Sequence, residues 1–152
     1  MHTQPRIPTR GERHTQKIVG AVALPDGKFV YRHQQDYFNT STHIAFLEEV
    51  FLPVFYRRGH RVFLIEDNAS YHTHPDAQAW YASQQRRLVV YPLPKYSPEF
   101  NAVERIWNYT RKEATHNRYF ATVAALCENL FSAFGDIQQH PHKILGYLEP
   151  YL

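Results

Sequence analysis

Two carboxylates stand where they could act on one substrate. Asp67 follows the apolar run Val62-Phe63-Leu64-Ile65, and Glu104 lies in the early turns of a helix that Ser97-Pro98-Glu99 should open. The two acids are separated by 36 residues. Acids delivered from a strand end and a helix can share magnesium or manganese, hard cations that prefer oxygen ligands. Two such ions, together, stabilise the attacking and leaving oxygens of a phosphodiester displacement. Period-2 alternation puts Asp67 on the strand face of Phe63 and Ile65 and sends Glu66 to the opposite one, so Glu66 is the weaker candidate.

Each residue has an ordinary role to weigh against this one. Asp67-Asn68 could simply form an Asx turn. Glu104 has Phe100 and Asn101 before it and Trp107 and Asn108 after it at helical contact distance, none of them basic. An intrahelical ion pair therefore does not explain it. It borders the apolar stripe of Phe100, Val103 and Trp107, so its carboxylate should be partly shielded and in need of a cation or donors. Glu99 is accounted for as a first-turn partner of the helix dipole. Arg105, Arg111 and Lys112 make a basic flank that could hold a phosphate backbone, or an ordinary solvated face. His72-Thr73-His74 resembles a zinc pair but has no evident third ligand, and Cys127 is too isolated to help. Tyr91, Tyr96 and Trp80 could stack on bases, or pack as core.

The positioning elements follow from pattern. Ile18 to Leu24 and Phe29-Val30-Tyr31 read as a hairpin joined by Pro25-Asp26-Gly27. Ser41 or Thr42 should cap a helix through Phe51 that Pro53 kinks or ends. Val62 to Ile65, apolar on both faces, suits a buried central strand. A helix opens at Thr73-His74-Pro75-Asp76 and reaches about Arg86, and Leu88 to Tyr91 is a second buried strand. The helix from Ser97 runs to about Ala114, and another covers Val123 to Phe134 with Gly135 as its stop. A short helix after Pro141 completes the chain. Strands alternating with helices after a hairpin imply an α/β fold, a mixed sheet flanked by helices.

Bulk properties set limits. At 152 residues, 43% of them apolar, the chain suits one domain with a real core. A net charge of +3 and a pI near 9.0 mildly favour a polyanionic partner. The single cysteine excludes an intrachain disulfide. No apolar run reaches the ~20 residues that cross a bilayer, and no signal peptide is legible, so no membrane and a cytoplasmic location are expected.

Two blocks carry a resemblance: Asp67-Asn68-Ala69-Ser70-Tyr71-His72, and the long run from Leu93-Pro94-Lys95-Tyr96-Ser97-Pro98 through Glu104-Arg105-Ile106-Trp107. Over about Lys17 to Phe134 the chain resembles the catalytic domain of DDE transposases, specifically the mariner-like superfamily and its bacterial insertion-sequence relatives. The resemblance implies an RNase H-like fold, as in retroviral integrases. It implies that Asp67 matches the second acid and Glu104 the third, each holding one of two Mg2+ (or Mn2+) ions. DNA, as transposon ends and target, is the implied partner. The family's first aspartate lies on a strand upstream of the hairpin. Asp26 and Asp36 do not match it, and the expectation is that this chain lacks that strand. Also unmatched is the helix-turn-helix region with which the family recognises transposon ends.

The domain expectation is an irregular segment over 1–15, a partial RNase H-like catalytic domain over 16–135 and a tail over 136–152. The functional expectation is a transposase catalytic fragment that cleaves and joins DNA in lineage but is inactive alone. The alternative is a non-catalytic DNA-binding or assembly module. Self-association, or pairing with an upstream transposase segment, would cover the exposed sheet edge.

Overall fold

The computed structural model describes residues 6–7, 16–24, 26–35, 37–67, 69–94, 100–115 and 118–151. Strands β1 (Arg6–Ile7), β2 (Gln16–Val22) and β3 (Phe29–His33) form an antiparallel sheet in that order. The hairpin is as predicted, with Ile18 opposite His33 and Val22 opposite Phe29. Its turn uses Gly27 at φ 77°, and the Lys28 amide donates to Asp26 Oδ1 at 3.1 Å. Pro25 lies outside the described residues. The amino-terminal segment is expected to be irregular, yet Arg6 and Ile7 pair with Lys17 and Gln16. That pairing satisfies backbone groups at the edge of β2.

Helix α1 (Thr40–Phe46) is capped by Asn39, not by Ser41 or Thr42. Asn39 Oδ1 accepts from the Thr42 amide at 2.9 Å, and Thr42 Oγ1 accepts from the Asn39 amide at 3.0 Å. Thr42 is thus the second member of a capping box. The chain then widens into a π-helical stretch, Leu47–Phe51, before α2 (Leu52–Phe55). Pro53 cannot use the carbonyl four residues back. Widening the preceding turn lets the helix continue past it.

Strand β4 (Val62–Glu66) runs parallel to β5 (Leu88–Pro92), joined through the one-turn helix α3 (Ser70–Thr73) and α4 (Pro75–Ser83). Helix α5 (Val103–Thr110) continues as a π-helical stretch to Thr115, close to the expected end. Its start is later than Ser97-Pro98-Glu99 suggests, and residues 95–99, with Tyr96, lie outside the described residues. Helix α6 (Val123–Gln139) passes through Gly135, which was expected to stop it, and α7 (His142–Leu148) follows. Phe134 and Ile137, on either side of Gly135, are fully buried. Their burial outweighs the ~1 kcal/mol that a helical glycine costs.

Strand β2 divides the core by its alternation. Ile18 and Val22 join Trp107, Leu130, Phe134 and Ile144 beneath α5, α6 and α7. Val19 and Ala21 join Phe46, Leu47, Leu64 and Leu88 on the other face. Gly20 permits the close approach of α5: a Cβ there would come within 2.7 Å of Trp107 Cη2.

Two features depart from a single closed sheet. Hydrogen bonds link β1–β3 and β4–β5 separately. Where β2 ends beside β4, Val22, Leu24, Phe55, Val62 and Ile65 help line a cavity of about 380 Å3. And β4 is not buried on both faces as its composition predicts. Leu64 and Glu66 are buried, but Phe63 is 63% exposed and Ile65 36%, because no described element covers their side. No helix among the described residues is long and apolar enough to cross a membrane.

Candidate functional site

Asp67 leaves the carboxyl end of β4, the edge where α/β sheets place their chemistry. Its Oδ1 accepts from the Ala69 amide at 3.2 Å, so the Asx turn does form. The same Oδ1 lies 3.0 Å from His72 Nδ1, and the Asp67 carbonyl oxygen lies 2.9 Å from it. An Nδ1–H facing both oxygens is the tautomer that satisfies this geometry. The carboxylate is therefore oriented from two sides while its side chain stays 36% exposed. Among the described residues Oδ2 has no hydrogen bond. Asp67 and His72 open onto a cavity of about 400 Å3 that runs along β5 beside α4.

Beneath Asp67 lies a polar cluster. Glu66, on the buried Leu64 face of β4, is 1% exposed. Tyr81 of α4 donates to Glu66 Oε1 at 2.6 Å. His43 Nε2, from α1, lies 2.6 Å from the same hydroxyl and 3.4 Å from Glu66 Oε2. His72 Nδ1 is 3.9 Å from Oε2, and the two imidazoles sit 4.2 Å apart by ring centre. Burial pushes the Glu66 carboxyl up, but the close approach of His43 and the neighbouring His72 outweigh it and hold Glu66 below its ordinary range. Burial lowers His43, so it is uncharged at neutral pH. Burial and the Glu66 charge together push the Tyr81 hydroxyl up, keeping it a donor.

Glu104 is half-buried on α5. Because the helix begins at Val103, Glu104 is itself a first-turn acid, and the helix-dipole role assigned to Glu99 applies to it as well. Among the described residues no ion pair reaches it. Arg105 is half-buried, Arg111 donates to Asn108 Oδ1 at 3.0 Å, and Lys112 is exposed. None of these four lines the cavity at Asp67. Of the candidate stacking residues, Tyr91 is exposed beside Phe63, while the Trp80 indole donates to Glu48 at 2.8 Å. His74 is the cap of α4, its Nδ1 accepting from the Asp76 amide at 3.0 Å.

Sequence reasoning passed over Glu66, His43 and Tyr81. One signal was available: a glutamate in phase with Leu64 on an apolar strand must be buried, and a buried carboxylate requires partners. Its partners come from 23 and 15 residues away, a distance no local pattern spans.

The family described as DDE superfamily endonuclease matches residues 2–127. An insertion element IS630 uncharacterized 39 kDa protein of Shigella sonnei is 28% identical over 127 residues, 84% of this chain. The chain spans 36% of that relative's length. The catalytic domain of the Mos1 mariner transposase superposes with a TM-score of 0.62 at 14% identity, over 97% of this chain and 77% of that one. A chain of the simian T-cell lymphotropic virus intasome, in complex with the PP2A regulatory subunit B56 gamma, gives 0.57 at 14% identity, over 86% of this chain and 46% of that one. The fold is that of transposase and integrase catalytic cores, RNase H-like.

Proposed function

We infer a function from one premise, that this chain belongs to the DDE superfamily endonuclease family and is a transposase of the IS630/mariner type. It is a catalytic fragment for DNA cleavage and strand transfer, and Asp67 and Glu104 are two of its acids. The observation that carries this is Asp67: a half-exposed carboxylate at the carboxyl end of a parallel strand, oriented by His72 and the Ala69 amide, with Oδ2 turned to no described donor. Such an oxygen suits a hard cation. Magnesium or manganese, when bound, supplies the charge that activates water and stabilises the leaving oxygen. Asp67 and Glu104 would each hold one ion. Arg105, Arg111 and Lys112 would follow the phosphate backbone of DNA.

The family's first acid has no match in these 152 residues, so an upstream segment or another chain would supply it. The cavity between the end of β2 and β4, and the open face of Phe63, Ile65 and Tyr91, are where such a segment would settle. Two carboxylates alone hold a divalent ion poorly, since affinity depends on ligand charge and number. Magnesium-dependent nicking of supercoiled DNA should therefore be weak or absent for the chain alone. It should appear when the part of the insertion-element relative that precedes the matched region is added, and vanish in Asp67→Ala and Glu104→Ala. Robust nicking by the isolated chain, lost in Asp67→Ala, would overturn the claim of inertness.

A second reading, a non-catalytic DNA-binding or assembly module, is favoured by that same open face of β4. DNA binding or self-association that persists without metal and ignores Asp67→Ala, with no nicking under any condition, would establish it over the first.

A further inference from the structure

We propose that His43, Glu66 and His72 form a buried site for one zinc-class divalent cation, distinct from the magnesium chemistry assigned to Asp67 and Glu104. Each residue offers one ligand atom, and the three lie within 4.8 Å of one another. A tetrahedral zinc with bonds of about 2.0–2.1 Å spaces its ligands roughly 3.3–3.5 Å apart. His43 Nε2 and Glu66 Oε2, at 3.4 Å, already have that spacing. His72 Nδ1, at 3.9 Å from Oε2, reaches it with a small ring movement.

A second observation points to a cation. Glu66 Oε2 is fully buried and has no hydrogen-bond partner, while Oε1 is occupied by Tyr81. Among the described residues no lysine or arginine pairs with this carboxylate; the basic side chains set against it are the two histidines. A buried anion so placed is costly unless a positive charge neutralises it. Two imidazole nitrogens and one carboxylate oxygen are a zinc donor set, whereas magnesium prefers oxygen alone. The Tyr81 hydroxyl borders the site, and Tyr81 and His72 line the cavity through which an ion or a fourth, water ligand would enter. The His72-Thr73-His74 pair thus contributes one of the three ligands, His72. The missing partners come from α1 and β4, while His74 caps a helix.

The rival occupant is the proton. Since Tyr81 donates to Glu66, its oxygen accepts from His43 Nε2–H, and His72 Nδ1–H faces Asp67. Zinc would displace both protons, so a filled site gives up the hydrogen bond from His72 Nδ1 to Asp67. Filled, the site cross-links α1, β4 and α3, so the metal should act as a structural brace.

The test uses the full chain, stripped with EDTA and loaded with zinc chloride or cobalt chloride. One zinc per chain should survive gel filtration, cobalt should give the visible absorption of a four-coordinate site, and Tm should rise. A large excess of magnesium should not compete. Glu66→Gln removes a direct ligand and should weaken zinc binding by more than the roughly 10–100-fold that loss of an outer-shell partner costs. His74→Ala, and Asp67→Asn at the catalytic acid, should leave one zinc bound. Should Glu66→Gln fail to fold, zinc-edge X-ray absorption of the loaded wild type counts the ligands directly, with two imidazoles and oxygen donors expected. Failure to retain zinc, equal affinity in a folded Glu66→Gln, or a shell without two imidazoles would each overturn the site and leave protons in it. None of these readouts depends on DNA cleavage, so the transposase reading stands or falls separately.

Discussion

The β2–β3 hairpin and the β4–β5 pair are built from similar apolar runs and end in opposite conditions. The hairpin is covered on both faces: α5, α6 and α7 close one side over Trp107 and Phe134, and α1 with its π-helical extension closes the other. The parallel pair has one open face, carrying Phe63, Ile65 and Tyr91, and on its buried face a charged residue, Glu66, among two histidines and a tyrosine. The first region contributes stability through apolar packing. The second gives up packing on one side and accepts buried charge on the other, so it contributes less to stability per residue.

Substitutions can break this contrast. Trp107→Ala should cost about 3–5 kcal/mol in urea unfolding, because it removes a fully buried ring that touches Phe29 and Phe134. A loss under ~1 kcal/mol would mean the hairpin side is not the stabilising core. Tyr81→Phe keeps the ring but removes the donor to Glu66 Oε1, and should cost about 2–3 kcal/mol by the same measurement. Unchanged stability would show that the cluster is relaxed by water or a metal. Gly20→Ala pushes a methyl into Trp107 and should cost roughly 1–2 kcal/mol, unless α5 shifts away at lower expense. Phe63→Ser, on the open face, should move stability by no more than about 0.5 kcal/mol while abolishing any self-association seen by light scattering. A large destabilisation there would mean that the face is covered after all.

One more substitution sharpens the role of the cluster. His72→Phe preserves ring volume between His43 and Tyr71 but cannot donate to Asp67. In the complemented nicking assay it should lower turnover more than DNA affinity, and His72→Asn, which keeps a donor near the Nδ1 position, should recover part of the loss. Equal activity in all three proteins would deny His72 its orienting role.

Legibility followed the range of the forces involved. The hairpin was readable because Gly27 and Asp26 act within their own turn. The ends of helices were read less well. Asn39 capped α1 ahead of the expected Ser41 or Thr42, and α6 ran through Gly135 because Phe134 and Ile137 needed burial. Asp67 and Glu104 stood out by residue type and neighbours, and the block around each carried the family. Glu66 was legible only as a residue on the less promising face.

By itself the sequence determined the alternation of strands and helices, the two acids offered for chemistry and the family to which they belong, since these depend on residue type, local spacing and motif. Only the tertiary structure decided that His43, Glu66, His72 and Tyr81 meet, that Asp67 is held by an imidazole, and that β4 shows one face to solvent. Those outcomes rest on contacts between segments far apart along the chain, which form when the layers pack and leave no mark on local pattern.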